Sequence, residues 1–270
     1  MNAVSVPAGP PPRRKVAQRR EISLSGRVIG AFLGIALLIG LWQLLSDTHA
    51  INPYIWSSPS AVWTAFIGLI NHGELGPDCW ESLQVFLWGY GIAIASGVLI
   101  GILTGWYRRA GALLDPWVAM LYAAPRVGIV PIIVAIAGLA EKSQIIVVWI
   151  SAVFPIIINV AVGVDSVNRD YLRTAQSFLA TNRDVLVGIA IPGSLPLLFA
   201  GLRQALVAAL IGLVIAEYVL GNGGVGGLIV TASGAGQTAE AFVGALIFSI
   251  FAVAGTAFLH WLERRVSRWR

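Results

Sequence analysis

Side chains able to ligate a metal, attack a carbonyl or grip a phosphate are few here and scattered. His49, His72 and His260 lie far apart, the single cysteine is Cys79, and neither His-Glu-x-x-His nor Gly-x-Ser-x-Gly occurs. Catalysis by a metal or a nucleophile needs clustered ligands or a base beside the nucleophile, so no catalytic residue and no metal site is expected. One cysteine also excludes an internal disulfide and a Cys-rich metal module. The segment Gly221-Asn222-Gly223-Gly224-Val225-Gly226 matches the dinucleotide fingerprint. That motif requires a strand before it and a βαβ unit around it, whereas this one follows a long apolar run. A glycine-rich turn, letting the chain reverse close to another backbone, is the better reading. A Walker A loop needs Gly-Lys-Ser/Thr, and neither Lys15 nor Lys142 follows a glycine. The chain has no cofactor of its own to expect, and if it pumps, the energy comes from a partner or an ion gradient.

The remaining unusual chemistry is charge among apolar residues, at Arg126, Arg203 and Glu217. The elements holding them must be membrane spans. The chain has 270 residues, 57% hydrophobic and only 11% charged, with mean hydropathy +0.80. A globular domain carries roughly a quarter charged residues, so a cytosolic enzyme is excluded. Six apolar runs are long enough to cross about 30 Å of hydrocarbon: Val28 to Leu45, Leu83 to Tyr107, Leu113 to Leu139, Gln144 to Val164, Leu195 to Leu220, and Ala241 to Leu262. Pro116, Pro125 and Pro131 predict a kink or break in the third. The fold class expected is all-α, integral membrane, with a polar basic tail over 1–27 and a membrane domain over 28–270.

The basic residues set the orientation, because Lys and Arg near span ends stay cytoplasmic. Fifteen of the eighteen fall on one side: six from Arg13 to Arg27, Arg108 and Arg109, Arg169, Arg173 and Arg183, and the four after Glu263. The other side has Lys142 alone. Both termini and the segment from Asp165 to Pro192 are therefore expected in the cytoplasm, and the net charge of +5 is no nucleic-acid footprint. The first apolar run is long for a signal peptide and lacks an Ala-x-Ala site, so it is expected to stay as an anchor. Outside, Ser58-Pro59 followed by Ala61, Val62, Trp63, Phe66, Ile67, Leu69 and Ile70 predicts a short interfacial helix, with Trp56 and Trp63 at headgroup level.

Between the fourth and fifth spans a tight connection would need only a few residues, yet the chain continues from Arg169 to Pro192. Ala175, Phe178, Leu179, Val185, Leu186, Ile189 and Ile191 form a partly amphipathic helical pattern ending before Pro192. An apolar stripe in the cytoplasm calls for a partner or for packing on its own bundle.

Here the sequence resembles the membrane subunit of binding-protein-dependent ABC importers. That family's loop, which docks in a groove of the ATPase, reads Glu-Ala-Ala, three residues, Gly, nine residues, Ile-x-Leu-Pro. Aligned on the proline, this chain has Arg173-Thr174-Ala175, Phe178, Leu179 and Ile189-Ala190-Ile191-Pro192. Ala175, Ile189 and Pro192 match, while Arg173 replaces Glu, Thr174 the first Ala and Leu179 the Gly. Leu179 is expected to favour a continued helix and to offer an apolar knob, and Arg173 to meet an acidic contact. Flanking segments resemble the nitrate, taurine, sulfonate and bicarbonate branch: Ser58-Pro59-Ser60, Glu81-Ser82-Leu83, Leu114-Asp115-Pro116, Ala124-Pro125-Arg126, Gly201-Leu202-Arg203, and Ala216-Glu217-Tyr218 leading into Gly224-Val225-Gly226-Gly227. Relatives often carry Trp-Phe-Gly where this chain has Ala135-Ile136-Ala137-Gly138.

The resemblance implies a type I ABC importer permease in a bacterial inner membrane, with a coupling loop over 166–192. It implies a second copy in a homodimer, a cytoplasmic ATP-binding subunit carrying the ATP-Mg, and an outside solute-binding protein, besides membrane lipid. The solute expected is small and anionic, and the chain is not an enzyme. Arg126, Arg203 and Glu217 have two readings. They contribute to the path, or they are structural, with Arg203 snorkelling near the cytoplasmic end and Glu217 binding backbone amides of the glycine turn. Arg203 and Glu217 are roughly 21 Å apart along one helix, so each needs another partner. Trp88-Gly89-Tyr90-Gly91 with Gly97, Gly101 and Gly105 reads as helix packing. The rival function is a stand-alone ion-coupled transporter or channel, for which acidic residues at midplane would be expected. A membrane-embedded enzyme lacks a ligand or nucleophile cluster.

Overall fold

The computed structural model describes residues 24–138, 141–167, 171, 174–175, 177–221 and 223–267, without the side chains of residues 24–29, 31, 53 and 126. Every regular element among them is helical: α1 (Leu24–Asp47), α2 (Pro53–Trp56), α3 (Pro59–Asn71), α4 (Leu75–Trp106), α5 (Arg108–Ala123), α6 (Arg126–Ala137), α7 (Glu141–Asp165), α8 (Asn182–Leu220), α9 (Gly224–Gly234) and α10 (Thr238–Val266). The basic tail lies, up to the backbone at Leu24, outside the described residues.

Among the described residues four helices, α4, α7, α8 and α10, are long and apolar enough to cross a bilayer, and α5 with the 127–137 part of α6 forms a pair bent by 103°. The described apolar stretch of α1, Phe32–Asp47, is shorter. The expected third span from Leu113 to Leu139 is thus two helices. Ala124 is extended (φ −63°, ψ 138°), as a residue before proline must tend to be, and the backbone turns there. Two other boundaries also move. The second span starts at Leu75 rather than Leu83, and the helix containing the fifth starts at Asn182 rather than Leu195. Ser58 caps α3 by accepting a hydrogen bond from the Ala61 amide at 3.1 Å, which confirms the short helix expected after Ser58-Pro59.

α7 occupies the centre, between α4 and α8. Its apolar residues Val148, Ala152, Ile156 and Val160 are completely buried. On the α4 side a methyl group at Gly89 would stand 2.6 Å from Val148 Cβ, at Gly97 2.9 Å from Ile156 Cβ, and at Gly101 2.7 Å from Val160 Cβ. On the α8 side a methyl at Gly201 would stand 2.7 Å from Asn159 Cβ, and one at Gly212 would collide with Ser151. The four-residue spacing on α4 is therefore a packing seam within the chain, because small residues let helix backbones come together where lipid offers no hydrophobic drive.

Gly101→Val should lower stability by about 1–3 kcal/mol through overpacking. Gly76→Val, on the same helix with nothing within 4 Å, should change it by less than about 0.5 kcal/mol. Thermal unfolding of both variants in detergent checks this.

Candidate functional site

The C-terminal end of α8 is closed by glycine. Gly221 caps the helix in the left-handed region (φ +61°), and Gly223 (φ +71°) and Gly224 (φ +73°) reverse the chain into α9. Only glycine adopts such angles without steric cost. Beneath this turn Glu217 is 1% exposed. Its Oε1 accepts from the Ser82 hydroxyl at 2.6 Å and its Oε2 from the Gly226 amide at 2.7 Å, while Ser82 Oγ accepts from the Val225 amide at 2.9 Å. A carboxylate at the first turn of α9 suits the positive end of a helix. The glycine run resembling a dinucleotide loop thus does cradle an acidic group, but one belonging to the chain itself. A methyl at Gly226 would stand 2.6 Å from Glu217 Cβ, so the spacing of the glycines follows from the buried glutamate.

Midway along α8, Arg203 Nη1 donates to Glu263 Oε2 of α10 at 2.5 Å. His260 Nδ1 lies 3.7 Å from the same oxygen, and at the adjacent residue Tyr90 OH donates to the Leu202 carbonyl at 2.8 Å. Arg203 and Glu217 therefore have separate partners on separate helices, as their spacing along α8 requires. The Arg126 side chain lies outside the described residues. No group of three metal-ligating side chains occurs among the described residues.

In the loop, Arg173 lies outside the described residues. Thr174 and Ala175 are helical, and here the structure corrects an expectation. Leu179 does not continue the helix: its φ is +59°, and the Ala180 amide donates back to the Ala175 carbonyl at 3.1 Å. That six-to-one bond with a left-handed residue before it is a Schellman ending, and Leu179 fills the position where the related loops carry glycine. The backbone keeps the turn although the side chain resists it. Phe178 and Leu179, 82% and 91% exposed, form the tip.

Thr181 then starts α8 through a capping box. Its amide and hydroxyl both donate to Asp184 Oδ2, at 2.9 and 2.6 Å, and the Asp184 amide donates to Thr181 Oγ1 at 3.3 Å. The Thr-x-x-Asp spacing signals this in the sequence and explains why the helix begins well before Leu195. Nor does the helix stop before Pro192. A π-helical stretch, Leu186–Ala190, widens the ladder just before Pro192, which has no N–H to donate. Ile189 and Pro192, with Tyr171, Ala175 and Phe178, line a cavity of about 680 Å³ between the arms of the loop.

A bundle of long apolar helices joined by a loop with an exposed apolar tip has the make-up of a polytopic membrane protein. The chain belongs to the binding-protein-dependent transport system inner membrane component family, whose model matches residues 97–268. It is 28% identical to an aliphatic sulfonates transport permease of Bacillus subtilis, covering 96% of this chain and 92% of that one. It is 32% identical to the nitrate import permease of Synechococcus elongatus, covering 89% and 85%. An inward-facing structure of the MetNI methionine ABC transporter shares the fold with a TM-score of 0.59 at 17% identity, over 69% of this chain and 93% of that one. The chain is a multi-pass membrane permease subunit of an ABC importer and not an enzyme, ATP hydrolysis belonging to a separate subunit.

Glu217→Ala leaves the Ser82 hydroxyl and Gly226 amide unpaired in the interior and should cost about 2–4 kcal/mol, with Glu217→Gln in between, as read from unfolding in detergent. Leu179→Gly should stabilise the loop locally by about 1 kcal/mol, since glycine bears no left-handed penalty. Slower hydrogen exchange at the Ala180 amide reports it.

Proposed function

We propose that two copies of this chain form the translocation path of an ATP-driven importer for a small anionic solute. In this reading each copy crosses the membrane six times with both termini in the cytoplasm, and α1 and the bent pair α5–α6 supply two of the spans. An ATP-binding subunit carrying ATP-Mg docks on the loop over 166–192, through the apolar tip at Phe178 and Leu179 and through Arg173, Thr174, Ala175, Ile189 and Pro192. A solute-binding protein delivers the solute from outside. The observation that carries the reading is the tip itself, two large apolar side chains held in water at the end of a capped turn, on the side that the basic residues mark as cytoplasmic. Exposed apolar groups of this kind belong to an interface. The anionic solute is supported by the sulfonate and nitrate names of the relatives, and selection among anions falls to the binding protein.

Affinity purification of the chain from its own host should bring down a Walker A ATPase in stoichiometric amount. Phe178→Ala together with Leu179→Ala should lower that yield at least about tenfold, the loss of two apolar anchors. Retention of the ATPase by the double variant would remove the docking assignment, and Arg173→Glu tests the acidic contact in the same experiment.

A further inference from the structure

One face of α8 is left uncovered. Gln204, Val207, Ile211 and Tyr218 recur at helical spacing along it and are all exposed, Val207 at 46%, Ile211 at 50% and Tyr218 at 60%. The other faces of α8 are closed by α7, α9, α10, α4 and α6. Gln204 lies roughly 24 Å along the helix from Leu220, within the approximately 30 Å of hydrocarbon.

Its amide is held in one orientation. Asn159 Nδ2 donates to the Pro155 carbonyl at 2.8 Å and to Gln204 Oε1 at 3.0 Å. The Pro155 carbonyl can only accept, so Asn159 must turn its NH₂ group that way, and Gln204 must offer the same group its oxygen. Gln204 Nε2, with two hydrogens to give, then faces outward without a partner among the described residues. A bare amide donor pressed against lipid is costly, and polar groups at this depth face protein or a water-filled cavity.

We infer that the Gln204, Val207, Ile211 and Tyr218 face of α8 is a wall of the aqueous solute path, on which Gln204, fixed by Asn159, offers an NH₂ donor to acceptor-rich solutes such as oxyanions. This rests on the permease reading above. It also moves the path away from Arg203 and Glu217, whose charged groups are engaged by Glu263 and by Ser82 with Gly226.

The single native cysteine makes the test direct. In a Cys79→Ser background, Gln204→Cys, Val207→Cys and Ile211→Cys are placed in the full-length chain within membrane vesicles of both orientations from cells expressing the whole importer. They are treated with water-soluble sulfonatoethyl and trimethylammonium-ethyl methanethiosulfonates, with Phe258→Cys, exposed on α10, as the lipid-facing control. All three positions should react from at least one side while Phe258→Cys does not. Adding Gln204→Glu to Val207→Cys should slow the anionic reagent and speed the cationic one, each about threefold, as a new charge one turn away in water would. Labelling no faster than at Phe258→Cys, or disulfide-linked dimers without labelling, would overturn the proposal, the second result making this face a dry contact between copies. Failure here with the ATPase still co-purifying refutes the wall alone, whereas loss of the ATPase refutes the permease reading beneath it.

Discussion

Everything in this bundle depends on how closely α7 is gripped. Apolar helices gain nothing from leaving water when they are already in lipid, so their association rests on van der Waals contact at short range. Gly89, Gly97 and Gly101 on α4 and Gly201 and Gly212 on α8 remove the side chains that would hold the backbones apart, and the branched residues of α7 fill the space. Three long helices thereby become one slab, with α5 and α6 on one flank and α9 and α10 on another. α1 touches the rest mainly near its C-terminal end through α3 and has an exposed surface along most of its length.

Polar contacts then tie the helices at two levels. Near the C-terminal end of α8 Glu217 joins α4, α8 and α9 through Ser82 and the Gly226 amide; at its middle Arg203 joins α8 to α10 through Glu263. Each pairing offsets the cost of taking a charge into hydrocarbon. The helix they share is continuous for 39 residues, from the Thr181 cap to the Gly221 turn. A single helix thus connects the loop to the glycine turn, its hydrogen-bond ladder interrupted by the π-helical stretch before Pro192 and by Pro196. Leu179, in a conformation glycine would adopt freely, places the apolar tip at the end of that helix.

The all-helical membrane class, the break in the third apolar run and the glycine packing seam were legible in the sequence, because apolar runs, prolines and glycine spacing follow from what lipid excludes. The residues carrying the family resemblance, from Ser58-Pro59 to the glycine turn, fall in the order the structure uses. Other features depended on distant neighbours. Glu217 and Ser82 are 135 positions apart and Arg203 and Glu263 are 60 apart, so no local pattern announces either pair. Leu179 misled because side-chain propensity favours helix there, whereas the turn is imposed by the Ala180 bond to Ala175 and by the cap that follows at Thr181. That cap was readable as Thr-x-x-Asp, and it outweighs the proline taken as the end of the helical pattern. The Asn159 and Gln204 pair was invisible for another reason: an amide in an apolar run has no meaning until its partner and its exposed side are known.

The central claim is that this chain moves solute only as the membrane half of an ATP-driven machine. Uptake of radiolabelled nitrate, taurine and other small sulfonates into proteoliposomes measures it most directly, comparing the chain alone with the chain reconstituted with its ATPase and solute-binding protein. The account predicts uptake by the full assembly that requires ATP, is abolished by omitting any component and is indifferent to proton ionophores. Uptake by the chain alone, driven by a proton or sodium gradient, would contradict it.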